Sequence, residues 1–134
     1  MKSLSLKLIK ICNDLRLLSS GPRCGIDEIN LPKEQPGSSI MPGKVNPVIP
    51  KVVGQVWYKV IYYSYARSEN VQLELNVFEP VIVYSIFESV KLLTNGINTL
   101  KERCIEGIEA NEKRCESLVK NCTIIVTAFN PYIG

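Results

Sequence analysis

The sequence of 134 residues contains no histidine. A histidine base and the common zinc sites built on histidine are therefore excluded within this chain. It has no apolar run long enough to cross a bilayer. Lys7 and Lys10 interrupt the first apolar stretch, and no small-residue cleavage site follows it, so a secretory signal is not predicted. We expect a cytoplasmic protein without a membrane partner.

The cysteines and charges exclude further classes. Five cysteines, an odd number, are irregularly spaced and form no CxxC pair, which favours free thiols over a disulfide framework. The net charge of +3 comes from 16 basic and 13 acidic residues along the whole chain. Because no basic block or aromatic-interleaved patch stands out, no nucleic-acid partner is predicted.

Apolar spacing predicts an all-α protein. Leu4, Leu8, Ile11, Leu15 and Leu18 recur every three or four residues, which predicts a helix that ends near Ser19–Pro22 with these side chains on its buried face. A long proline-rich loop follows, from Pro22 to Pro50. A second helix is expected from about Val52 into the mid-sixties, with its buried side formed by Val52, Val53, Val56, Val60 and Ile61.

The third predicted helix is the longest. Pro80 suits its first turn, and apolar residues continue through Ile82, Ile86, Val90, Leu93, Ile97, Leu100, Cys104 and Ile108. Such a helix would be roughly 40 Å long, so it needs neighbours along its length, and Gly96 within it favours a closely packed one. A short helix from Glu112 to about Asn121 is expected next, followed by an apolar run and a stop at Asn130-Pro131.

The segment 37–47 reads GSSIMPGKVNP and carries the chemistry. Pro42 and Gly43 suit the centre of a type II turn that would bring Lys44 back towards Ser38 and Ser39. Backbone N–H groups beside a lysine suit a carboxylate or phosphate. A phosphate-binding P-loop is excluded because the glycine spacing is one residue too long and valine replaces the Mg²⁺-binding hydroxyl. A purely structural loop stays open.

This segment, without a gap, resembles the signature of the fumarase/aspartase family. The resemblance extends through LLSSGPRCGI, EINLP, VIP, QL, LNV, EPVI, FES, LTN and NP at positions 17–26, 28–32, 48–50, 72–73, 75–77, 79–82, 87–89, 93–95 and 130–131. The residues after Asn46 favour the aspartase branch over the fumarase branch.

The resemblance implies reversible elimination of ammonia from L-aspartate to give fumarate, without metal or organic cofactor. Ser38 would be the general base, although a serine needs activation for that role. Lys44 and Asn46 would hold substrate carboxylate oxygens, and Ser39 and Met41 would contribute where charge develops on the substrate. Two alternatives stay open: Ser39 only stabilises the loop, and Asn46 caps a helix.

The resemblance also implies how the chain is organised. Residues 1–110 would be later helices of a central bundle that carries the loop at 37–47, and residues 111–134 would begin a small carboxyl-terminal domain. Family enzymes are longer and assemble their sites from several subunits, as tetramers. We therefore expect a truncated or split chain, inactive alone, that associates with its own copies or with a companion chain.

Two departures from the family pattern favour an alternative. Lys51 stands where the family commonly has a glutamate that pairs with a histidine, so the charge is reversed. Between Ile61 and Gln72 the chain is about three residues shorter than its relatives. A non-catalytic helical remnant is the alternative that these departures favour, and a fumarase-like lyase is a further one.

Overall fold

The computed structural model describes residues 1–21, 24–35, 40–41, 45–65, 73 and 75–133. Helices dominate this part of the chain, and the all-α prediction is confirmed. The elements are α1 (Lys2–Leu18), β1 (Ile29–Asn30), α2 (Val48–Tyr65), α3 (Glu79–Arg103), β2 (Glu109–Ala110), α4 (Glu112–Lys120) and α5 (Asn130–Ile133), with 3₁₀ turns at Ile105–Gly107 and Thr123–Phe129. Among the described residues, no helix is both long and apolar enough to cross a membrane.

The core lies where α2 packs against α1 on one side and α3 on the other. Trp57 of α2 is fully buried at its centre. A Cβ atom added to Gly96 of α3 would lie 3.2 Å from the tip of the Trp57 indole. Gly96 therefore lets the two helices approach closely enough to enclose the ring, as its position in the predicted third helix suggested.

The buried face of α1 is not the predicted leucine face. The helix ends at Leu18 as predicted, but its buried residues are Ser5, Ile9 and Cys12. Leu4 and Ile11 are exposed, while Leu8 and Leu15 pack against the edge of the core. Small side chains at two of the three buried positions allow α2 to come close, and the larger leucines are displaced to the flanks.

The start and the buried side of α2 also differ from the prediction. The helix begins at Val48, so Pro50 lies in its first turn, where a missing N–H is tolerated. Val53 and Val60 are buried as expected, whereas Val52 is exposed and the unpredicted Trp57 is fully buried.

Helix α3 is shorter than predicted and presents another face to the core. It begins at Glu79 with proline in its first turn, as expected, but ends at Arg103. The chain must leave the helix there because Glu109–Ala110 pairs with Ile29–Asn30 in a two-stranded antiparallel ribbon. Leu93, Leu100 and Cys104 of the predicted apolar line are buried, while Ile86, Val90 and Ile97 are exposed.

The carboxyl-terminal segment follows the prediction only at first. Helix α4 runs from Glu112 to Lys120, and Asn111 caps it by accepting a hydrogen bond from the Arg114 N–H. The expected stop at Asn130-Pro131 is wrong, because a helical turn begins at Asn130. Proline at the second position of that turn costs no hydrogen bond.

Candidate active site

The structure describes only part of the predicted site. Ser38, Ser39 and Lys44 lie outside the described residues, as does the expected turn at Pro42-Gly43. Of the remaining candidates, Met41 is about half exposed and Asn46 is half-buried. Asn46 is the described candidate that lines both neighbouring clefts.

Asn46 stands just before the amino terminus of α2. Its carbonyl oxygen accepts a hydrogen bond from the Val48 N–H at 2.8 Å, and the Pro47 oxygen accepts one from the Lys51 N–H at 3.3 Å. Pro47 therefore occupies the N-cap position, and Asn46 precedes it. This position argues against the helix-cap interpretation and leaves the Asn46 side chain for the adjoining clefts. The positive end of the α2 dipole points to the same place.

Two clefts meet at Asn46, and five residues line both: Ser19, Gly21, Val45, Asn46 and Pro47. The larger has a volume of about 640 Å³ and is completed by the ribbon and its flanks, at Asp27, Ile29, Asn30, Leu31, Pro32, Lys33, Gly107 and Glu109. The smaller, about 560 Å³, is completed by α1 and α2, at Asn13, Arg16, Leu17, Ser20 and Lys51.

The clefts differ in charge. The described lining of the larger cleft includes two carboxylates, Asp27 and Glu109, and one ammonium, that of Lys33. The described lining of the smaller cleft includes Arg16 and Lys51 and no carboxylate. An anionic group is therefore favoured on the α1–α2 side of Asn46.

The wall of the larger cleft is a strained turn. Asp27 has a φ of 57°, in the left-handed region that aspartate tolerates better than most residues. Its carboxylate accepts a hydrogen bond from the Asn111 side-chain amide at 3.1 Å. Close packing also requires Gly25, because a Cβ atom there would lie 2.1 Å from the Ser20 carbonyl oxygen.

Helix α4 holds this turn from outside. The Arg114 Nε–H donates to the Ile26 oxygen at 3.0 Å, and an Arg114 Nη donates to the Gly25 oxygen at 3.5 Å. The Asn111 N–H donates to the Glu28 oxygen at 2.8 Å, and the Glu28 N–H donates to the Leu18 oxygen at 3.0 Å. The end of α1, the turn and the start of α4 thus form one hydrogen-bonded unit.

Two buried thiols lie in the core and not in the clefts. Burial raises the pKa of the Cys12 thiol, and the neighbouring indole N–H of Trp57 and the Arg16 guanidinium oppose that rise in part. The indole N–H itself has no partner at hydrogen-bonding geometry among the described residues. Burial also raises the pKa of the Cys104 thiol, with the negative charges of Cys12 and Glu34 adding to it. Both thiols are therefore poor nucleophiles.

Comparison with known proteins identifies this arrangement. Residues 1–61 match a protein family described as Lyase. Aspartate ammonia-lyase from Helicobacter pylori is 60% identical over the whole chain, and the Escherichia coli enzyme is 58% identical. The chain is therefore similar to part of the enzymes of the fumarase/aspartase family of lyases. It spans 29% of the length of either relative.

Solved structures of the fumarase/aspartase family share the fold. The crystal structure of a fumarate lyase (delta crystallin) from Brucella melitensis superimposes with a TM-score of 0.90 and 53% identity, over 99% of this chain and 30% of that one. A class II fumarase from Schistosoma mansoni gives 0.84 and 34%, over 99% of this chain and 28% of that one. This chain therefore has the fold of the corresponding part of those helical bundles.

The length difference agrees with the sequence analysis. The alignments with the aspartate ammonia-lyases extend over 137 positions, against 134 residues in this chain, a difference of three. Three residues is the shortening expected between Ile61 and Gln72. The alignment lengths give its size, and its location there stays a prediction.

Sequence reasoning missed several residues around the site. Arg16 was not singled out in the sequence, although the apolar spacing placed its helix and the end of that helix correctly. Asn111 and Arg114 lie more than 80 positions from the turn that they bind. The paired ribbon brings them together, and two-residue strands leave no pattern in a sequence.

Proposed function

We propose that this chain supplies the carboxylate-binding part of an aspartate ammonia-lyase site. The observation that carries the proposal is the 58–60% identity with such enzymes across the whole chain, together with the ungapped GSSIMPGKVNP segment. The position of Asn46 between two clefts, at the positive end of α2, supports it further.

The reaction proposed is the reversible elimination of ammonia from L-aspartate to give fumarate. Ser38 removes the proton beside the β-carboxylate, which leaves an aci-carboxylate dianion. Lys44 and Asn46 hold carboxylate oxygens, and Ser39 and Met41 contribute where negative charge develops. Fixed donors at such a site stabilise the charge without reorganising during the reaction, and neither a metal nor an organic cofactor is needed.

Assembly is part of the proposal. The remaining site residues would come from further copies of this chain or from a companion chain with the preceding segments, and the complex would be cytoplasmic. The exposed apolar side chains of α3, among them Tyr84 and Phe87 at 70% and 68% exposure, support association. Residues 1–110 would serve as bundle helices, and 111–134 as the start of the carboxyl-terminal domain.

A second candidate is a non-catalytic helical module. The observations that favour it are Lys51, whose charge is opposite to the family's glutamate, and the three-residue difference in length. A fumarase-like activity is less well supported, because the Schistosoma mansoni fumarase is only 34% identical.

The test is a fumarate assay by absorbance with L-aspartate as substrate. The chain is measured alone and then mixed with a fragment of the Helicobacter pylori enzyme that contains the segments outside the matched region. We expect activity only in the mixture, and its loss in Ser38→Ala. The control is Ser3→Ala, at an exposed position on α1, which should retain full activity.

The outcomes separate the candidates. No activity in the mixture, with both chains folded and associated, would favour the non-catalytic module. Activity with L-malate in place of L-aspartate would identify a fumarase.

A further inference from the structure

The described lining of the smaller cleft includes two cations. Other cations in the described part of the chain form ion pairs, namely Lys10, Lys59, Lys101, Arg103 and Lys120. Arg16 and Lys51 line the same cleft and form no ion pair among the described residues. Two neighbouring cations without a carboxylate between them leave the cleft with an unbalanced positive charge.

The location of Lys51 increases this imbalance. It is the fourth residue of α2, whose first turn contains no acidic residue. A lysine there is unfavourable, because the amino-terminal end of a helix already carries a partial positive charge. The positive end of the helix and the ammonium group therefore add to one another beside Asn46.

Arg16 lines the same cleft from the carboxyl-terminal end of α1. It lies in the last turn of α1, and its Nη1 donates to the Asn13 side-chain oxygen at 3.3 Å. A guanidinium has five N–H donors, so most remain for a ligand. Their planar arrangement matches a carboxylate better than a spherical anion.

We propose that the smaller cleft binds a carboxylate group through Arg16 and Lys51. The ligand would be a dicarboxylate. The inference deepens the proposed function and rests on it for the identity of the ligand. Arg16 and Lys51 are then specificity-determining residues for one of its two acidic groups.

The experiment is a titration of the ¹⁵N-labelled full chain with fumarate, followed by NMR shifts of the Arg16 Nε–H and the Lys51 amide. Lys51→Glu should weaken binding about tenfold, because attraction becomes repulsion. Arg16→Gln should weaken it severalfold. Lys113→Glu, the same charge change on exposed α4 outside both clefts, should stay within about twofold.

Further measurements separate the sites. Binding should weaken as sodium chloride is raised, since exposed charges are screened. Lys51→Glu should also raise the midpoint of thermal unfolding, because a carboxylate suits the start of α2. A stability gain with a binding loss distinguishes a ligand role from damage to the fold.

The proposal is overturned if Lys44→Gln abolishes fumarate binding while Lys51→Glu leaves it unchanged, or if Lys51→Glu and Lys113→Glu weaken it equally. Tighter binding of inorganic phosphate than of fumarate would contradict a carboxylate ligand. Because this titration needs no catalysis, Lys51-dependent binding together with an inactive mixture would support the inference and reject the proposed activity.

Discussion

The two halves of α3 bury different kinds of side chain. In the half from Leu93 to Arg103, the buried residues are Leu93, Gly96 and Leu100, and this half encloses Trp57 with α2. In the half from Glu79 to Leu92, the buried residues are Ser85 and Ser89.

Six large apolar residues of that first half are instead exposed, namely Val81, Val83, Tyr84, Ile86, Phe87 and Val90, while Leu92 packs against the edge of the core. A helix that turns serines inward and aromatic rings outward is packed for a neighbour on its outer side. One half of α3 thus stabilises this chain, and the other half is suited to an assembly.

The largest effect is expected at the centre of the core. Trp57→Ala should reduce the free energy of unfolding by about 3–5 kcal/mol, because it removes a fully buried ring and leaves a cavity between α2 and α3. Urea denaturation followed by circular dichroism measures it. Tyr58→Ala, at the next position and 60% exposed, is the control and should change stability by less than about 0.5 kcal/mol. Equal losses in the two variants would contradict the packing described.

The close approach of α3 to Trp57 gives the second prediction. Gly96→Val should cost about 1–3 kcal/mol, because even the first added carbon would lie 3.2 Å from the ring. Gly54→Val is the matched control on α2, where an added Cβ atom meets no atom within 4 Å. It should be neutral or slightly stabilising, and thermal unfolding of both variants provides the comparison.

These positions also show what the sequence could predict. Helix spacing and Pro80 located α1 and α3 well, because both signals are local. The buried faces were misjudged, since apolar spacing ranks Leu4 and Ile86 above Ser5 and Ser89. Burial depends on which helix lies alongside and on how close it comes, and a small residue marks close approach more than it marks polarity. The exposed apolar residues of α3, such as Ile86 and Val90, also have the same spacing in the sequence as buried ones.

The candidate site shows the same limit. Asn46 became a candidate because its motif is local and specific, and its role stays a prediction. A helix was expected soon after it, although that helix begins at Val48 and not at about Val52. The presence of both Arg16 and Lys51 in one cleft could not be predicted, because it depends on α1 ending close to the point where α2 begins. The hydrogen bonds from Arg114 to the turn at Ile26 depend on the ribbon, which four residues form.

The third prediction concerns pH at the buried end of α3. The pKa values of Cys12 and Cys104 are raised by burial, so the folded state retains their protons at a pH where the unfolded state releases them. Above the ordinary thiol pKa of 9.0, the unfolded state therefore binds fewer protons, and stability should fall as pH rises. Below that pH the two thiols should have no effect on the pH dependence.

Urea midpoints at pH 8 and pH 10 measure this dependence. The double variant Cys12→Ala/Cys104→Ala should lose less stability over that interval than the unmodified chain. Cys24→Ala, at an exposed cysteine, should reproduce the unmodified decline. An identical decline in all three chains would show that the thiols do not contribute.

The smallest effect on stability is expected in the half of α3 that faces outward. Tyr84→Ser/Phe87→Ser removes two exposed rings and should change the free energy of unfolding of the monomer by less than about 0.5 kcal/mol per residue. The same variant should shift the sedimentation profile at micromolar concentration from oligomer to monomer, since an apolar interface loses its aromatic anchors. Tyr58→Ser, which removes an exposed ring from α2, should leave the oligomer intact. A monodisperse monomer of the unmodified chain, or a large loss of stability in the double variant, would contradict the division of α3 into a core half and an assembly half.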